Sequence, residues 1–154
     1  MSRTLGLDIG DRRIGISISD SLGITAQWLT TLTRQTPATD VEAIAALVRT
    51  HQAQEVVAGL PLTMKGELGE QAQKVMVFVE ALRAALSCPV HVMDERLTTV
   101  QSERALLSMD TPRSTRKKVI DQLAAQLILQ AHLDVVASKR AHAQQQEEEL
   151  DSEA

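Results

Sequence analysis

Three acidic residues have the types and positions that suit a metal site. Asp8 interrupts the apolar run LGLDIG, Glu95 closely follows the apolar segment PVHVM, and Asp121 lies in the first two turns of the last helical pattern. Hard divalent cations such as Mg²⁺ and Mn²⁺ take oxygen ligands, usually carboxylates together with phosphate and water. Two such ions about 4 Å apart can activate a water and stabilise the leaving oxygen of a phosphodiester. If the three carboxylates converge, they form the metal site of a nuclease.

Each of these acids also has a purely structural interpretation. Asp8 could close a turn, Glu95 could pair with Arg96, and Asp121 could offset the dipole at its helix N-terminus. Further acids compete for a place in the site: Asp94 as a ligand, and Asp11 and Asp20 as outer members. The four histidines are weaker candidates: we expect surface roles for His51, His132 and His142, and packing or contact with solvent for His91.

The elements around Asp8 are predicted to be strands. Residues 3–9 and 14–19 form two apolar runs joined by the turn GDRR, and the second run alternates Ile with Gly or Ser. The other predicted elements are a strand over 27–32, a helix over 37–51, a strand over 55–61, a helix over about 70–86, a strand over 89–93, a helix from Thr98 through Leu107, and a helix over about 114–136. Thr98 and Gln101 have the spacing of a capping box.

This order, βββ-α-β-α-β-α-α, predicts an α/β fold in which helices flank a mixed sheet, with the first three strands antiparallel and the later strands parallel. Strand ends at one edge of such a sheet are where α/β folds build their sites, so the three acids could meet there. We expect one domain over residues 1–136, followed by a polar, acidic and disordered tail over residues 137–154.

Composition restricts the class of protein further. The chain has 154 residues, one cysteine (Cys88) and no apolar run long enough to cross a bilayer, and its first residues do not resemble a signal peptide. We therefore expect a cytoplasmic protein. The formal charge of −4 is concentrated in the tail, because residues 1–136 carry only −1. One tryptophan, one phenylalanine and no tyrosine leave little for bases to stack on. A nucleic-acid partner would therefore be held through its backbone and shape.

Four segments in order give the sequence a specific resemblance: GLDIGDRRIGISISD, VVAGLPLTMKGELGEQA, VHVMDERLTT and IDQLAAQLILQAHL. Over residues 3 to about 136 the chain resembles the YqgF/RuvX family of bacterial RNase H-like proteins, which are related to the RuvC resolvases. Members of that family are described as candidate Holliday junction resolvases or as nucleases that mature the 5′ end of the small-subunit ribosomal RNA precursor.

The resemblance implies an RNase H-like fold with a catalytic metal site at Asp8, Glu95 and Asp121, holding Mg²⁺ or Mn²⁺ in a two-metal arrangement. It also implies that Arg96 and Thr98 lie beside these ligands. The chain departs from the family pattern at Asp11, and at Lys65, where the family often has an acid. We expect nucleic-acid contacts from Arg12, Arg13, Lys65, Arg96, Thr98, Arg113, Arg116, Lys117 and Lys118.

The favoured function is that of a metal-dependent endonuclease for branched DNA or precursor ribosomal RNA, with a homodimer expected if it resolves junctions, because two symmetric nicks require a two-fold assembly. Two other classes stay open at this point. One is an ATP-dependent kinase or ATPase of the actin-like group, which would need a second such domain. The other is a non-catalytic nucleic-acid-binding or ribosome-assembly factor that keeps the fold.

Overall fold

The computed structural model describes residues 2–98, 100 and 112–153, except for the side chains of Arg113, Arg116, Lys117, Lys118 and Asp121. Its centre is a five-stranded sheet in the order β3-β2-β1-β4-β5. The strands are β1 Arg3–Ile9, β2 Arg13–Ser19, β3 Ala26–Thr33, β4 Ala53–Leu60 and β5 Val90–Asp94. The first three strands pair antiparallel, whereas β4 pairs parallel with both β1 and β5. The predicted mixed sheet is confirmed.

Helices cover both faces of this sheet. Helices α1 (Pro37–His51) and α2 (Glu70–Ala85) lie on one face, where Ile44 and Val75 pack with Leu5 and Leu7 of β1. Helix α3 (Arg113–Glu153) crosses the other face, and its Leu129 packs with residues of β4 and β5. A 3₁₀ turn over Glu95–Leu97 follows β5. Apolar side chains that alternate along each strand thus have a helix to pack against on either side.

Helix α3 runs antiparallel to β1 and β4. Its Ile128 lies against Gly59 near the end of β4, whereas His132, one turn later, bonds to Glu55 near the start of that strand. The N-terminal turns of α3 therefore lie at the edge of the sheet where β1, β4 and β5 end. This is the edge at which α/β folds place their sites.

The sequence predicted most of these elements, but not the end of the last helix. The predicted end near Val136 is wrong, because α3 continues to Glu153. Residues 137–153 contain no glycine or proline and are mainly Ala, Lys, Arg, Gln, Glu and Leu, which are good helix formers even without a packed face. These residues are helical where we expected disorder, and the division into a domain at 1–136 and a tail at 137–154 stays a prediction.

The predicted helix from Thr98 through Leu107 falls largely on residues 99 and 101–111, which lie outside the described residues. Gln101 of the proposed capping box lies outside them as well. Among the residues that are described, none of the helices is both long and apolar enough to span a bilayer.

Candidate active site

Asp8 lies near the end of β1 and faces α3. It alternates with Leu7 and Ile9, which belong to the core beneath α1 and α2. Gly6, two residues before Asp8 on the same side of the strand, is so close to α3 that a Cβ atom there would lie 2.7 Å from Leu129 Cβ. Asp8 is only 8% exposed. The carboxylate that interrupts the first apolar run is therefore placed between the sheet and α3.

Glu95 begins the 3₁₀ turn after β5 and is almost completely buried, with 2% of its surface exposed. Two neighbours fix its backbone. The Asp94 carboxylate accepts a hydrogen bond of 2.9 Å from the backbone N–H of Arg96, which caps the turn. The hydroxyl of Thr98 donates a 2.7 Å hydrogen bond to the carbonyl oxygen of Glu95. Thr98 thus contacts the backbone of Glu95, and its predicted contact with nucleic acid stays a prediction.

Gly59 of β4 allows Glu95 to lie close to Asp8. Leu7 of β1 is paired with Ala58 of β4, so the next residues, Asp8 and Gly59, lie on neighbouring strands about 4.8 Å apart. A Cβ atom at Gly59 would lie 2.8 Å from Glu95 Oε1 and would also collide with a side chain of α3. The Glu95 carboxylate therefore lies over Gly59, beside the strand that carries Asp8 and on the same face of the sheet.

The backbone of Asp121 lies at the level of this pair. Ala125, one helical turn after Asp121, accepts a 2.7 Å hydrogen bond from Ser17 of β2, and Ser17 pairs with Gly6 of β1. Four residues of helix advance about 6 Å and two residues of strand about 6.6 Å. Because α3 is antiparallel to β1, moving back from Ala125 to Asp121 matches moving forward from Gly6 to Asp8. The side chain of Asp121 is outside the described part of the structure.

The donor atoms of this site fit a hard divalent cation. Two carboxylates with little exposure, one near the end of β1 and one just after β5, bring negative charge to the same edge of the sheet. Oxygen-only donors suit Mg²⁺ or Mn²⁺ better than a thiophilic ion. Among the side chains that are described, no three His, Cys, Asp or Glu residues are grouped to hold a metal, and Asp121 is not among those side chains.

Comparison with known proteins decides the family. The family model RuvX, described as Holliday junction resolvase, matches residues 2–135. The chain belongs to the RuvX family. It is 47% identical over 132 residues to a protein of Halothermothrix orenii, covering 86% of this chain and 94% of that protein. It is 50% identical over 132 residues to a protein of Moorella thermoacetica, with coverages of 86% and 94%. Both relatives carry the provisional name pre-16S rRNA nuclease.

Solved structures confirm the fold. The RuvC structure of Thermus thermophilus superposes with a TM-score of 0.51 at 15% identity, covering 88% of this chain and 96% of that one. RuvC of the same organism in complex with a Holliday junction substrate gives a TM-score of 0.50 at 18% identity, with coverages of 83% and 92%. The architecture is thus shared with RuvC, and membership of the RuvX family supports a nuclease role.

Arg96, which the family resemblance implies to lie beside the expected metal ligands, is bound by Asp94 in this RuvX member. The guanidinium of Arg96 bonds to both Asp94 oxygens, and its Nη1 lies 3.5 Å from the carbonyl oxygen of Met64 in the loop after β4. The hydrogen bonds from Arg96 lower the pKa of Asp94, with burial opposing them. A Cβ atom at Gly66, which has a φ of +81°, would lie 3.1 Å from this guanidinium. Asp94 thus ties Arg96 to the loop.

The other predicted phosphate contacts lie near the same edge of the sheet. Arg12 is exposed and Arg13 partly buried in the turn after Asp8, and Lys65 is exposed in the loop beside Arg96. The basic residues of α3 occupy its first two turns at this edge, and their side chains lie outside the described ones: Arg113, Arg116, Lys117 and Lys118. Asp11 points to α2, where its carboxylate lies 3.7 Å from the ammonium group of Lys74.

Two residues that the sequence analysis missed hold the turn after Asp8. Arg34 donates a 3.0 Å hydrogen bond to the carbonyl oxygen of Gly10 and a 3.2 Å hydrogen bond to Asp40, which is 4% exposed. The same guanidinium lies 4.8 Å from the centre of the Phe78 ring. No sequence pattern marks this contact, because Arg34 and Gly10 are 24 residues apart and belong to different loops.

The expectation that His132 has a surface role is wrong. Its side chain is 12% exposed and lies 3.1 Å from Glu55, while His91 stacks on it and lies 3.3 Å from the same carboxylate. The Thr4 hydroxyl donates a 2.9 Å hydrogen bond to Glu55. This cluster joins β1, β4, β5 and α3 at the edge opposite the acids. Burial would raise the pKa of Glu55, but the hydrogen bonds and charges of its partners lower it overall.

Proposed function

We propose that this chain is a divalent-metal-dependent endonuclease that cleaves phosphodiester bonds of structured nucleic acid. The main observation behind this proposal is that Asp8 and Glu95 are both buried on the face of the sheet that α3 covers. They lie at the ends of β1 and β5, the strands on either side of Gly59. In this proposal Asp8 and Asp121 hold the metal, and Glu95 ligates it or orients the attacking water. A bound divalent ion supplies an activated water and stabilises the leaving oxygen.

The chain's own residues supply positioning. The capped 3₁₀ turn and Thr98 hold Glu95 in place, and α3 shields the carboxylates from bulk water. Arg12, Lys65 and Arg96, together with the basic start of α3, surround this edge of the sheet, where they can bind phosphates. Because such contacts release counterions, binding should weaken steeply with salt, and removing one lysine or arginine should reduce the salt slope by about 1.

Two substrates are supported by different comparisons. The two curated relatives reported above have names that point to precursor 16S ribosomal RNA. The family description and the RuvC fold point to four-way DNA junctions. Both substrates are structured nucleic acids held through their backbones, which agrees with the low aromatic content of 1%. We therefore propose the endonuclease activity itself and treat the two substrates as two arms of one test.

The test is cleavage of a synthetic four-way DNA junction and of a precursor ribosomal RNA fragment, each with Mg²⁺, Mn²⁺ or EDTA. Loss of an outer residue that orients a metal ligand typically lowers metal affinity or activity by about 10- to 100-fold. Replacing a ligand itself, as in Asp8→Asn, should therefore lower the cleavage rate by about a hundredfold or more. Asp11→Asn is the matched control, since the same change three residues away falls on an exposed carboxylate that faces Lys74.

Paired nicks in the junction would identify a resolvase, and cleavage of the RNA alone a ribosomal maturation nuclease. If neither substrate is cut with either metal, or if Asp8→Asn cuts as well as Asp11→Asn, the endonuclease proposal fails. Metal-independent binding of either nucleic acid without cleavage would then favour a non-catalytic assembly factor.

A further inference from the structure

The last part of α3 carries a regular stripe that the proposed nuclease site does not use. We call this stripe the tail seam; its residues repeat at spacings of four and three: Val136, Arg140, Ala143, Glu147 and Leu150. The stripe continues the spacing of Leu129 and Leu133, which are buried in the core. A repeat of four and three residues is the pattern by which one helix packs against another. The family model ends at residue 135, before the seam begins.

Helix α3 beyond Val136 has no neighbour to pack against over most of its length in the described structure. Residues 137–153 are all exposed, and Leu150 is 67% exposed. The charges along this segment also oppose a lone helix. Glu147 and Asp151 repel each other one turn apart, and the last turn carries acidic but no basic residues, which the helix dipole disfavours. This end of the helix would gain from basic groups supplied by a partner.

A second copy of the same segment would bring a basic group to Glu147. Val136 and Leu150 each lie seven residues from Ala143, and Arg140 and Glu147 lie three and four residues from it. Two antiparallel copies related by a two-fold axis at Ala143 therefore place Arg140 of each within one residue, about 1.5 Å along the helix axis, of the level of Glu147 of the other. The same arrangement places Leu150 opposite Val136, and the small Ala143 allows the helices to approach at the axis.

An apolar cleft that Leu150 of a second copy can contact lies beside Val136. The loop between β2 and β3 and the side of α3 enclose a cleft of about 340 Å³, to which Leu22, Ile24 and Val136 contribute. Leu22 is 65% exposed and Ile24 is 60% exposed. Leu150 from an antiparallel partner reaches the level of Val136, next to this cleft, and can cover these side chains.

We propose that the chain forms a two-fold dimer in which the tail seams of two copies pack antiparallel about Ala143. This inference does not depend on the proposed nuclease activity. An interface of one helical segment from each copy is small, so the dimer should form and dissociate with concentration.

Sedimentation velocity on the full chain, from about 5 to about 500 µM, tests the proposal, because small interfaces are typical of weak complexes that dissociate on dilution. Glu147→Lys should raise the dissociation constant at least about tenfold, because it places a lysine opposite Arg140 at two symmetric sites. The charge exchange Arg140→Glu with Glu147→Lys should restore dimerisation to within about threefold of wild type. Glu149→Lys is the matched control, because position 149 lies on the opposite side of the helix at about 100° per residue.

Cross-linking provides a second measurement that does not depend on charge. With the natural cysteine removed as Cys88→Ala, Ala143→Cys should form a disulfide with its own copy, because the axis brings the two Cβ atoms together. Gln145→Cys, which is also exposed but lies about 200° around the helix from Ala143 and outside the cleft, should not.

Any of four results would overturn the inference. They are a monomer at every concentration, a dimer that is insensitive to Glu147→Lys, equal weakening by Glu149→Lys, and equal cross-linking through Gln145→Cys. If the chain stays monomeric at every concentration, the tail seam does not pack against a second copy, and a different protein becomes the candidate partner. Circular dichroism confirms folding of each variant, whose changed residues are exposed except at position 88.

Discussion

The carboxylate of Asp94 holds the guanidinium of Arg96 with both of its oxygens, at 3.1 and 3.0 Å from Nε and 2.7 Å from Nη2. The guanidinium in turn lies against Met64 and Gly66 of the loop after β4. These contacts connect the turn that carries Glu95 with the loop that carries Lys65, a residue predicted to contact phosphates. Asp94 therefore positions the Arg96 side chain beside this loop.

Asp94→Ala should loosen the loop after β4, because Arg96 loses its charged partner and the 3₁₀ turn loses its cap. Trypsin cuts after lysine, so the rate of cleavage after the exposed Lys65 should rise about threefold or more as the loop opens locally. Glu80→Ala is the control, since it removes an exposed carboxylate 2.7 Å from Arg83. Equal cleavage rates in the two variants would contradict the role of Asp94.

Gly59→Ala should destabilise the fold and disturb the site together. The new Cβ atom would lie 2.8 Å from Glu95 Oε1 and 2.5 Å from Ile128 Cδ1, so one of these must move. Overpacking of this kind costs about 1–3 kcal/mol of the free energy of unfolding, which denaturant titration measures. Nucleic-acid cleavage should fall as well, because Glu95 is displaced.

Gly69→Ala provides the matched control for Gly59→Ala. Its Cβ atom would meet only the Cγ2 atom of Thr63 at 3.1 Å, and its φ of −71° suits alanine. We expect the free energy of unfolding of Gly69→Ala to differ from that of the wild type by less than about 1 kcal/mol. If both alanine variants are equally stable, Gly59 does not set the separation between the sheet and Glu95.

The sequence predicted the site as far as local patterns reach. Alternation of apolar residues identified β1 and β2, and the strand order follows from a meander followed by crossover units, so the ends of β1 and β5 could be placed at one edge. Asp8 and Glu95 were chosen as candidates because they stand at, or just after, strand ends. Which of Asp94 and Glu95 is buried depends on the 3₁₀ turn, whose three residues have no periodic signature.

Contacts between distant segments could not be predicted in the same way. Arg34 bonds to Gly10 and Asp40, and Glu55 bonds to His132 across 77 residues of sequence. Such contacts depend on strand register and on the height of α3 over the sheet, which no single segment encodes. The length of α3 was missed for another reason: its apolar stripe was followed to Val136, but helix propensity continues to Glu153.

Arg34→Ala should destabilise the protein by about 2–4 kcal/mol, because it leaves Asp40 buried without its guanidinium and frees the carbonyl of Gly10. Thermal or denaturant unfolding measures the change. The control is Arg49→Ala, which breaks a 2.9 Å pair with Glu42 in which both side chains are well exposed and which should contribute less than about 1 kcal/mol. Equal losses in the two variants would rule out a special role for Arg34.

Glu55→Gln should make the free energy of unfolding less dependent on pH in the acidic range. The pKa of Glu55 is lowered in the folded protein, so its carboxylate stabilises the fold above the ordinary glutamate pKa of about 4.3, and this stabilisation is lost as the pH falls through the lowered folded value. At pH 6 the variant should be less stable by about 1–3 kcal/mol, because hydrogen bonds from Thr4 and His132 to a charged group are weakened.

Denaturant titrations of wild type and Glu55→Gln from about pH 7 to about pH 3 measure this difference, which should shrink below about pH 4 as the wild-type carboxylate becomes protonated. Glu42→Gln, on an exposed carboxylate, is the control and should show little difference at any pH. A Glu55→Gln difference that persists unchanged at the acid end would mean that packing, rather than the charge of Glu55, joins β1, β4 and α3 at this edge. The lowered pKa requires the opposite result, since protonation of Glu55 removes the charge that its histidine partners bind.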